Sequence, residues 1–358
     1  MSSLTSEIHQ TIRRRVRAMA QTGQRIQDML VSNEIASYLH QAYQANPWFT
    51  EENTRLALER VVAYYLNEEA LTNWVRPYTH KILQQTPKTL GIVMAGNIPM
   101  AGLHDVLSGL ICGHYVKAKT SQRDRTLMGL LAHLLAEADV EFEEKIQLQD
   151  NGILLPFDAV IATGSSNTSR YFEHYFGAYP SIIRKNRHGV ALITGEETET
   201  QLQALGRDVF EYFGLGCRSV SKLMTPPNYD FSHFFEANRN WKTELFDSDK
   251  YKNNYDYVKS ILLMNGDAHL DSGYVLLKES ESPASAIASL HYQTYQDDDE
   301  ANLWLSAHSD EIQVALSQNP KRFPATARTP FGTAQSPRLW DYADDIDTLA
   351  FLTSLEIE

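Results

Sequence analysis

The chain has 358 residues, with 32 basic against 45 acidic side chains and a formal net charge of −13. That length buries a sizeable core and predicts two domains at roughly 150 residues each, while the acidic balance argues against nucleic-acid or anionic-membrane partners, which demand a basic surface. Two cysteines, Cys112 and Cys217, build no disulfide framework, no apolar run approaches the ~20 residues that span a bilayer, and residues 1–10 lack the apolar core of a secretion signal, so a reducing cytoplasm is expected.

Residues 1–85 read as helical. Ile12, Val16, Met19 and Ala20 recur at helical spacing among Arg13, Arg14, Arg15 and Arg17, which mark a solvated face, and Leu56, Leu58, Val61, Val62, Tyr65 and Leu66 predict another amphipathic helix. From residue 88 short apolar runs alternate with helical stretches. The pattern predicts a buried strand at 89–95, an apolar helix at 100–111, a strand at 115–119, a helix at 126–138, a strand at 159–162 and a helix at 168–176. This alternation implies a parallel sheet with helices on its faces. A second α/β unit follows, with strands at 190–194, 220–224 and 274–278 and a helix at 199–212. The acidic run 297–300 reads as a solvated loop, and the proline-bearing stretch 320–339 as an ordered, non-helical segment lying over a surface.

Ligands of parallel sheets bind beyond the carboxyl ends of the strands, so the loops at 95–99, 119–123 and 163–167 are the first places to look. Asn97 offers an amide that can donate to a developing oxyanion or cap the next helix. Lys117, Lys119, Arg123 and Arg125 put positive charge at a strand end, suited to phosphate and equally to a solvated helix start. Thr163-Gly164-Ser165-Ser166 opens a helix after a strand, where backbone N–H groups cradle phosphate. In Gly214-Leu215-Gly216-Cys217-Arg218-Ser219 the glycines free the backbone just before Cys217. A thiol on such a turn can face a cleft, with N–H groups around it and Arg218 favouring its thiolate; a buried structural cysteine is the alternative. Cys112, in an apolar helix, reads as core.

Taken in order, these loops resemble the aldehyde dehydrogenase superfamily, and within it the acyl-CoA reductases typified by the fatty-acid reductase of bacterial luminescence. The resemblance runs from about residue 88 to 340. It implies an aldehyde-dehydrogenase-like α/β fold with two parallel-type domains, Rossmann-like and catalytic, after a helical N-terminal region. The implied division is 1–186 for the helical region and NADP-binding domain, 187–320 for the catalytic thiol domain, and 321–358 for a segment returning over the domain interface. Asn97 with Pro99 matches the Asn-x-Pro loop whose amide stabilises the oxyanion. Lys119 matches the lysine that binds the adenosine ribose, Thr163-Gly164-Ser165 the turn that receives the pyrophosphate, and Cys217 the nucleophile. Glu279 with Pro283 matches, without the Phe, the element that holds the nicotinamide ribose. Pro330-Phe331-Gly332 with Gln335-Ser336 resembles the family's C-terminal Pro-Phe-Gly-Gly…Ser-Gly stretch.

Two departures refine what the resemblance implies. The family's general-base Glu, which activates water to hydrolyse a thioester, is missing; the aligned stretch is Asn186-Arg187-His188-Gly189. Reduction of an acyl-thioester needs no such water, so acyl-CoA reduction is implied over aldehyde oxidation. His188 is the candidate for proton transfer, because imidazole titrates near neutral pH, or else a structural His at a strand start. NAD-specific relatives carry a Glu where this chain has Gln122, flanked by Arg123. Losing that carboxylate removes repulsion of a 2′-phosphate, which Arg can pair, so NADPH is expected over NADH. The implied activity is NADPH-dependent reduction of an acyl-CoA, long-chain in the reductases it resembles, to the aldehyde through a Cys217 thioester, with no metal. An acyl-transfer partner protein or a second copy of the chain is the expected macromolecular partner. The rival expectations are an acyl phosphate or aldehyde substrate on the same fold, a non-redox acyl-transfer protein, and a non-catalytic interaction subunit.

Overall fold

The computed structural model describes residues 2–149, 156–319, 322–323 and 329–355, and side chains throughout these except at 2–9 and 166. Contacts divide the chain into Asn186–Ser336 and the remainder.

The first unit opens with the helices Ser2–Ser32, Ala36–Ala45, Glu51–Arg60, Glu68–Val75 and Thr79–Gln84. Ile12, Val16, Met19 and Ile26 form the buried stripe of the first. Thr50 and Asn67 cap later helices by accepting the N–H groups of Asn53 and Ala70. One expectation needs correction here. Arg15 is not solvated: it is buried, pairs with Glu141 at 2.6 Å and donates to the Ile111 carbonyl.

The sheet of this unit comprises β1 (Thr89–Val93), β2 (Tyr115–Lys119), β3 (Ile146–Gln149), β4 (Ala159–Thr163) and β5 (Ser181–Arg184). Its order is β3-β2-β1-β4-β5 and every pairing is parallel. Leu90, Ile92 and Val160–Ala162 are buried, as expected of strands covered on both faces. Helices Leu103–Cys112, Arg125–Ala138 and Ser166–Phe176 follow β1, β2 and β4. The order reverses at β1, so the carboxyl ends of β1, β2 and β4 form the crevice of a doubly wound sheet. Residues 337–355 return to this unit, where Arg184 pairs with Asp105 and donates to Thr348 at 3.2 Å, all three buried.

The second unit carries β6 (His188–Leu192), β7 (Val220–Thr225), β8 (Leu270–Asp271), β9 (Leu276–Glu279), β10 (Ser289–Thr294) and β11 (Ile312–Ser317), in the order β11-β6-β7-β10-β9-β8. Only the β8–β9 pair is antiparallel. Val190, Leu192, Met224, Tyr295, Trp304, Leu305 and Phe323 pack into one core cluster. The acidic run at 297–300 is not a loop. Asp297 caps helix Asp298–Ala307 by accepting the Glu300 N–H at 2.9 Å, and its neighbours fill the first turn, where the helix dipole favours negative charge. The helix from Glu199 stops at Phe210, earlier than its apolar pattern suggests, because Tyr212 and Phe213 turn left-handed.

Among the described residues no helix is long and apolar enough to cross a membrane.

Candidate active site

The parallel register of the first unit brings Asn97, Lys119, Gln122, Arg123, Thr163, Gly164 and Ser165 to one end of its sheet, since Val93 pairs with both Lys119 and Ala162. Lys117 does not join them; it donates to the Pro156 carbonyl at 3.1 Å. The first two loops are built against each other. A Cβ on Gly96 would lie 2.2 Å from Ser121 Oγ, so only glycine fits there. Ser121 in turn accepts the Arg123 N–H. Met100 adopts the left-handed conformation at φ 57 and donates its N–H to Asp124 at 2.6 Å. Asp124 is buried, and its other oxygen finds no hydrogen-bond partner among the described residues. Burial therefore pushes its carboxyl well above the usual carboxylate range.

Ser165 caps the 11-residue helix Ser166–Phe176 by accepting the Thr168 N–H at 3.3 Å. Its hydroxyl serves the helix, and Gly164 donates its N–H to the Arg184 carbonyl at 3.3 Å, so the N–H groups of the first helical turn are what an anion would meet. Exposed Arg123 and half-buried Lys119 supply positive charge at the neighbouring strand end. This donor set, two cations beside a helix N-terminus, fits the phosphates of a dinucleotide.

In the second unit Cys217 is exposed, in contrast to Cys112, whose burial pushes its thiol up to about 12. The chain reaches Cys217 through three successive left-handed residues: Tyr212 at φ 53, Phe213 at φ 58 and Gly214 at φ 73. For Tyr212 and Phe213 this conformation costs about 1–2 kcal/mol each, offset by burying both aromatic rings. The turn is then closed by Ser219, which donates its N–H to the Gly216 carbonyl at 3.0 Å and accepts the Gly216 N–H on its hydroxyl at 3.2 Å. Ser219 O accepts the Gly189 N–H at 3.0 Å, which sets the turn against the start of β6 and so brings His188 to the same end of the sheet. His188 is half-buried, and desolvation lowers its pKa below the usual imidazole value.

Glu279 lies elsewhere. It ends β9 and, through Tyr292, stands level with Leu223, about 10 Å along the strand direction beyond Val220 at 3.3 Å per residue. Because β7 and β9 run the same way, the carboxyl end of β9 is opposite the end at which Cys217 enters β7. The structure therefore does not bring Glu279 to the thiol. The chain after it returns along the sheet, held by four successive carbonyls. Lys222 Nζ donates to those of Ser280 and Glu281 at 2.6 and 2.9 Å, His291 Nδ1 meets that of Ser282 at 3.0 Å, and Ser221 Oγ donates to that of Pro283 at 2.6 Å. Lys222 is fully buried against Trp304, and desolvation lowers its pKa to about 8.

Sequence reasoning singled out none of Asp124, Lys222 or Asp208. Asp208 is buried and accepts the N–H groups of Gly332 and Ala334, seating the Pro330–Gln335 stretch on the helix that leads to Cys217. Among the described residues no cluster of His, Cys, Asp and Glu could hold a metal.

No family model matches the chain, and no curated protein matches it by sequence. Solved structures do match. Aldehyde dehydrogenase 21 from Physcomitrella patens, in complex with the reaction product succinate, superposes with a TM-score of 0.67 at 11% identity, over 96% of this chain and 84% of that one. The chain has the aldehyde-dehydrogenase fold. An NAD-dependent benzaldehyde dehydrogenase from Corynebacterium glutamicum superposes with a TM-score of 0.64 at 12% identity, over 87% of this chain and 78% of that one. An aldehyde dehydrogenase from Mycobacterium tuberculosis complexed with NAD+ gives 0.60 at 13% identity, over 89% and 76%. Within the aldehyde-dehydrogenase fold of this chain, one sheet presents the candidate anion site and the other the exposed thiol.

Proposed function

We propose that this protein reduces an acyl-CoA, long-chain in the reductases its sequence resembles, to the aldehyde with NADPH, through an acyl thioester on Cys217. The observation that carries this reading is the exposed Cys217 on a turn closed by buried Ser219, whose hydroxyl accepts from Gly216 N and Gln335 Nε2. A fixed, accessible thiol suits nucleophilic attack. The stretch Asn186–His188 offers no carboxylate to activate water, which supports transfer and reduction over hydrolysis.

In this reading the Cys217 thiolate attacks the thioester carbonyl carbon, a Cys217 S–C bond forms, and the C–S bond to CoA breaks, with CoA leaving as thiolate. The Cys217 backbone N–H and the Asn97 amide donate to the oxyanion. Lys119, Arg123 and the Thr163–Ser165 turn would hold NADPH, which would supply the hydride taken up by the acyl carbon. Cys217 is then expelled as thiolate when the carbonyl reforms, releasing aldehyde. His188 supplies the proton that the departing CoA thiolate takes up.

The test is loss of NADPH absorbance on adding acyl-CoAs of graded chain length. The same assay with acyl phosphate, and with aldehyde plus NADP+, separates the rival substrates. Acyl loading of Cys217 without NADPH consumption would indicate a non-redox acyl-transfer protein instead.

A further inference from the structure

We propose that Gln335 is a positioning residue for Cys217, holding the nucleophile turn closed from the strap formed by residues 329–335; this rests on the reading of Cys217 as the nucleophile. Gly216 N donates to Ser219 Oγ at 3.2 Å, and this closure depends on where a hydroxyl rotor points. Gln335 Nε2 donates to the same oxygen at 3.0 Å. With two donors converging, both lone pairs of Ser219 Oγ are directed and the rotor is fixed. Ser219 is 2% and Gln335 8% exposed, so water does not replace either bond, yet the thiol between Gly216 and Ser219 is exposed.

The strap is itself fixed. Asp208, 1% exposed, takes the N–H groups of Gly332 and Ala334 on its two oxygens. Gly332 stands at φ 84, where a Cβ would lie 3.1 Å from the Ala204 Cβ and 2.6 Å from the Arg207 guanidinium, so the strap passes close against the helix. Ser317 N donates to Thr329 O at 3.0 Å, which ties the other end of the strap to β11. Helix Glu199–Phe210 thus reaches the Cys217 turn by two routes, along the chain through Tyr212 and Phe213 and across space through Gly332, Gln335 and Ser219. Only the second route ends on an acceptor of the N–H that precedes the nucleophile.

The experiment measures the second-order rate of Cys217 alkylation by iodoacetamide, located by peptide mass spectrometry, in the full-length wild type, Gln335→Ala, Ser219→Ala and the double variant. Buried Cys112 serves as the unreactive reference. Each single variant is expected to slow alkylation about 3–10-fold, the size of one net hydrogen bond, and the double variant to be no slower than the worse single one. In NADPH turnover the loss falls on kcat with KM for NADPH unchanged. If Gln335→Ala does not fold, as judged by circular dichroism, the near-isosteric Gln335→Met takes its place. A folded Gln335 variant alkylated at the wild-type rate, or losses that multiply in the double variant, overturn the proposal. Alkylation requires neither acyl-CoA nor NADPH, so a wild type that fails to reduce acyl-CoA while showing this coupling refutes the functional reading and leaves the positioning role standing.

Discussion

Asp124 accepts the Met100 N–H at 2.6 Å, so the loop that carries Asn97 hangs from the turn that carries Gln122 and Arg123. Met100 is held in a left-handed conformation by this bond, and nothing else among the described hydrogen bonds meets its N–H. Asp124→Leu strands that donor in the interior and should cost about 1–3 kcal/mol in urea denaturation. Asp124→Asn keeps an oxygen for it and should stay nearer the wild type. Equal losses in the two variants would show that packing, not the hydrogen bond, holds the loop.

The contact between the two loops predicts a rescue. Gly96→Ala drives a methyl to 2.2 Å from Ser121 Oγ and 2.4 Å from its Cβ, so one loop must move. NADPH affinity, read by fluorescence titration, should fall in Gly96→Ala and recover largely in the double variant Gly96→Ala, Ser121→Gly, which removes the obstructing side chain.

Burial raises the Asp208 carboxyl to about 7. An acid held protonated in the folded state stabilises fully below the unfolded value near 4 and loses that contribution as pH rises to about 7. The ceiling is roughly 4 kcal/mol, at about 1.4 kcal/mol per unit. Asp208→Asn should be less stable at pH 4, since an amide oxygen accepts for only one of the two N–H groups. The stability difference from wild type should then shrink towards pH 7. A difference independent of pH across that window would show that Asp208 folds ionised.

The proposed preference for NADPH rests on Gln122 and Arg123, both exposed at the β2 end. Gln122→Glu should shift the ratio of kcat/KM from NADPH towards NADH by about 10-fold or more, the size of a charge-assisted hydrogen bond lost or opposed. Arg123→Ala should weaken NADPH and leave NADH nearly unchanged. Steady-state kinetics with both nucleotides decides this.

The strands β1, β2, β4, β6 and β7 were legible because each is a compact apolar run next to a helical pattern. β3 and β5 were not: Ile146-Gln147-Leu148-Gln149 and Ser181-Ile182-Ile183-Arg184 are short edge strands with polar residues, which look like loop. Asp297 looked like part of a charged loop because its capping role appears only once Glu300 N is seen to meet it. Of the site, glycines and strand ends marked the Asn97, Lys119, Ser165 and Cys217 loops. The buried supports were invisible, since Ser219 and Gln335 stand 116 residues apart and Asp208 and Ala334 126 apart, with no pattern between them. Glu279 was matched on a Glu and a Pro alone, and strand register, which the residues by themselves do not state, sets it level with Leu223, about 10 Å along β7 from Val220.

The most direct measurement is NADPH oxidation with a long-chain acyl-CoA by the wild type and by Cys217→Ala, with intact-mass detection of the acyl-enzyme. The account predicts NADPH consumption and an acylated protein in the wild type, and neither in Cys217→Ala. NADPH consumption by Cys217→Ala at the wild-type rate would contradict it.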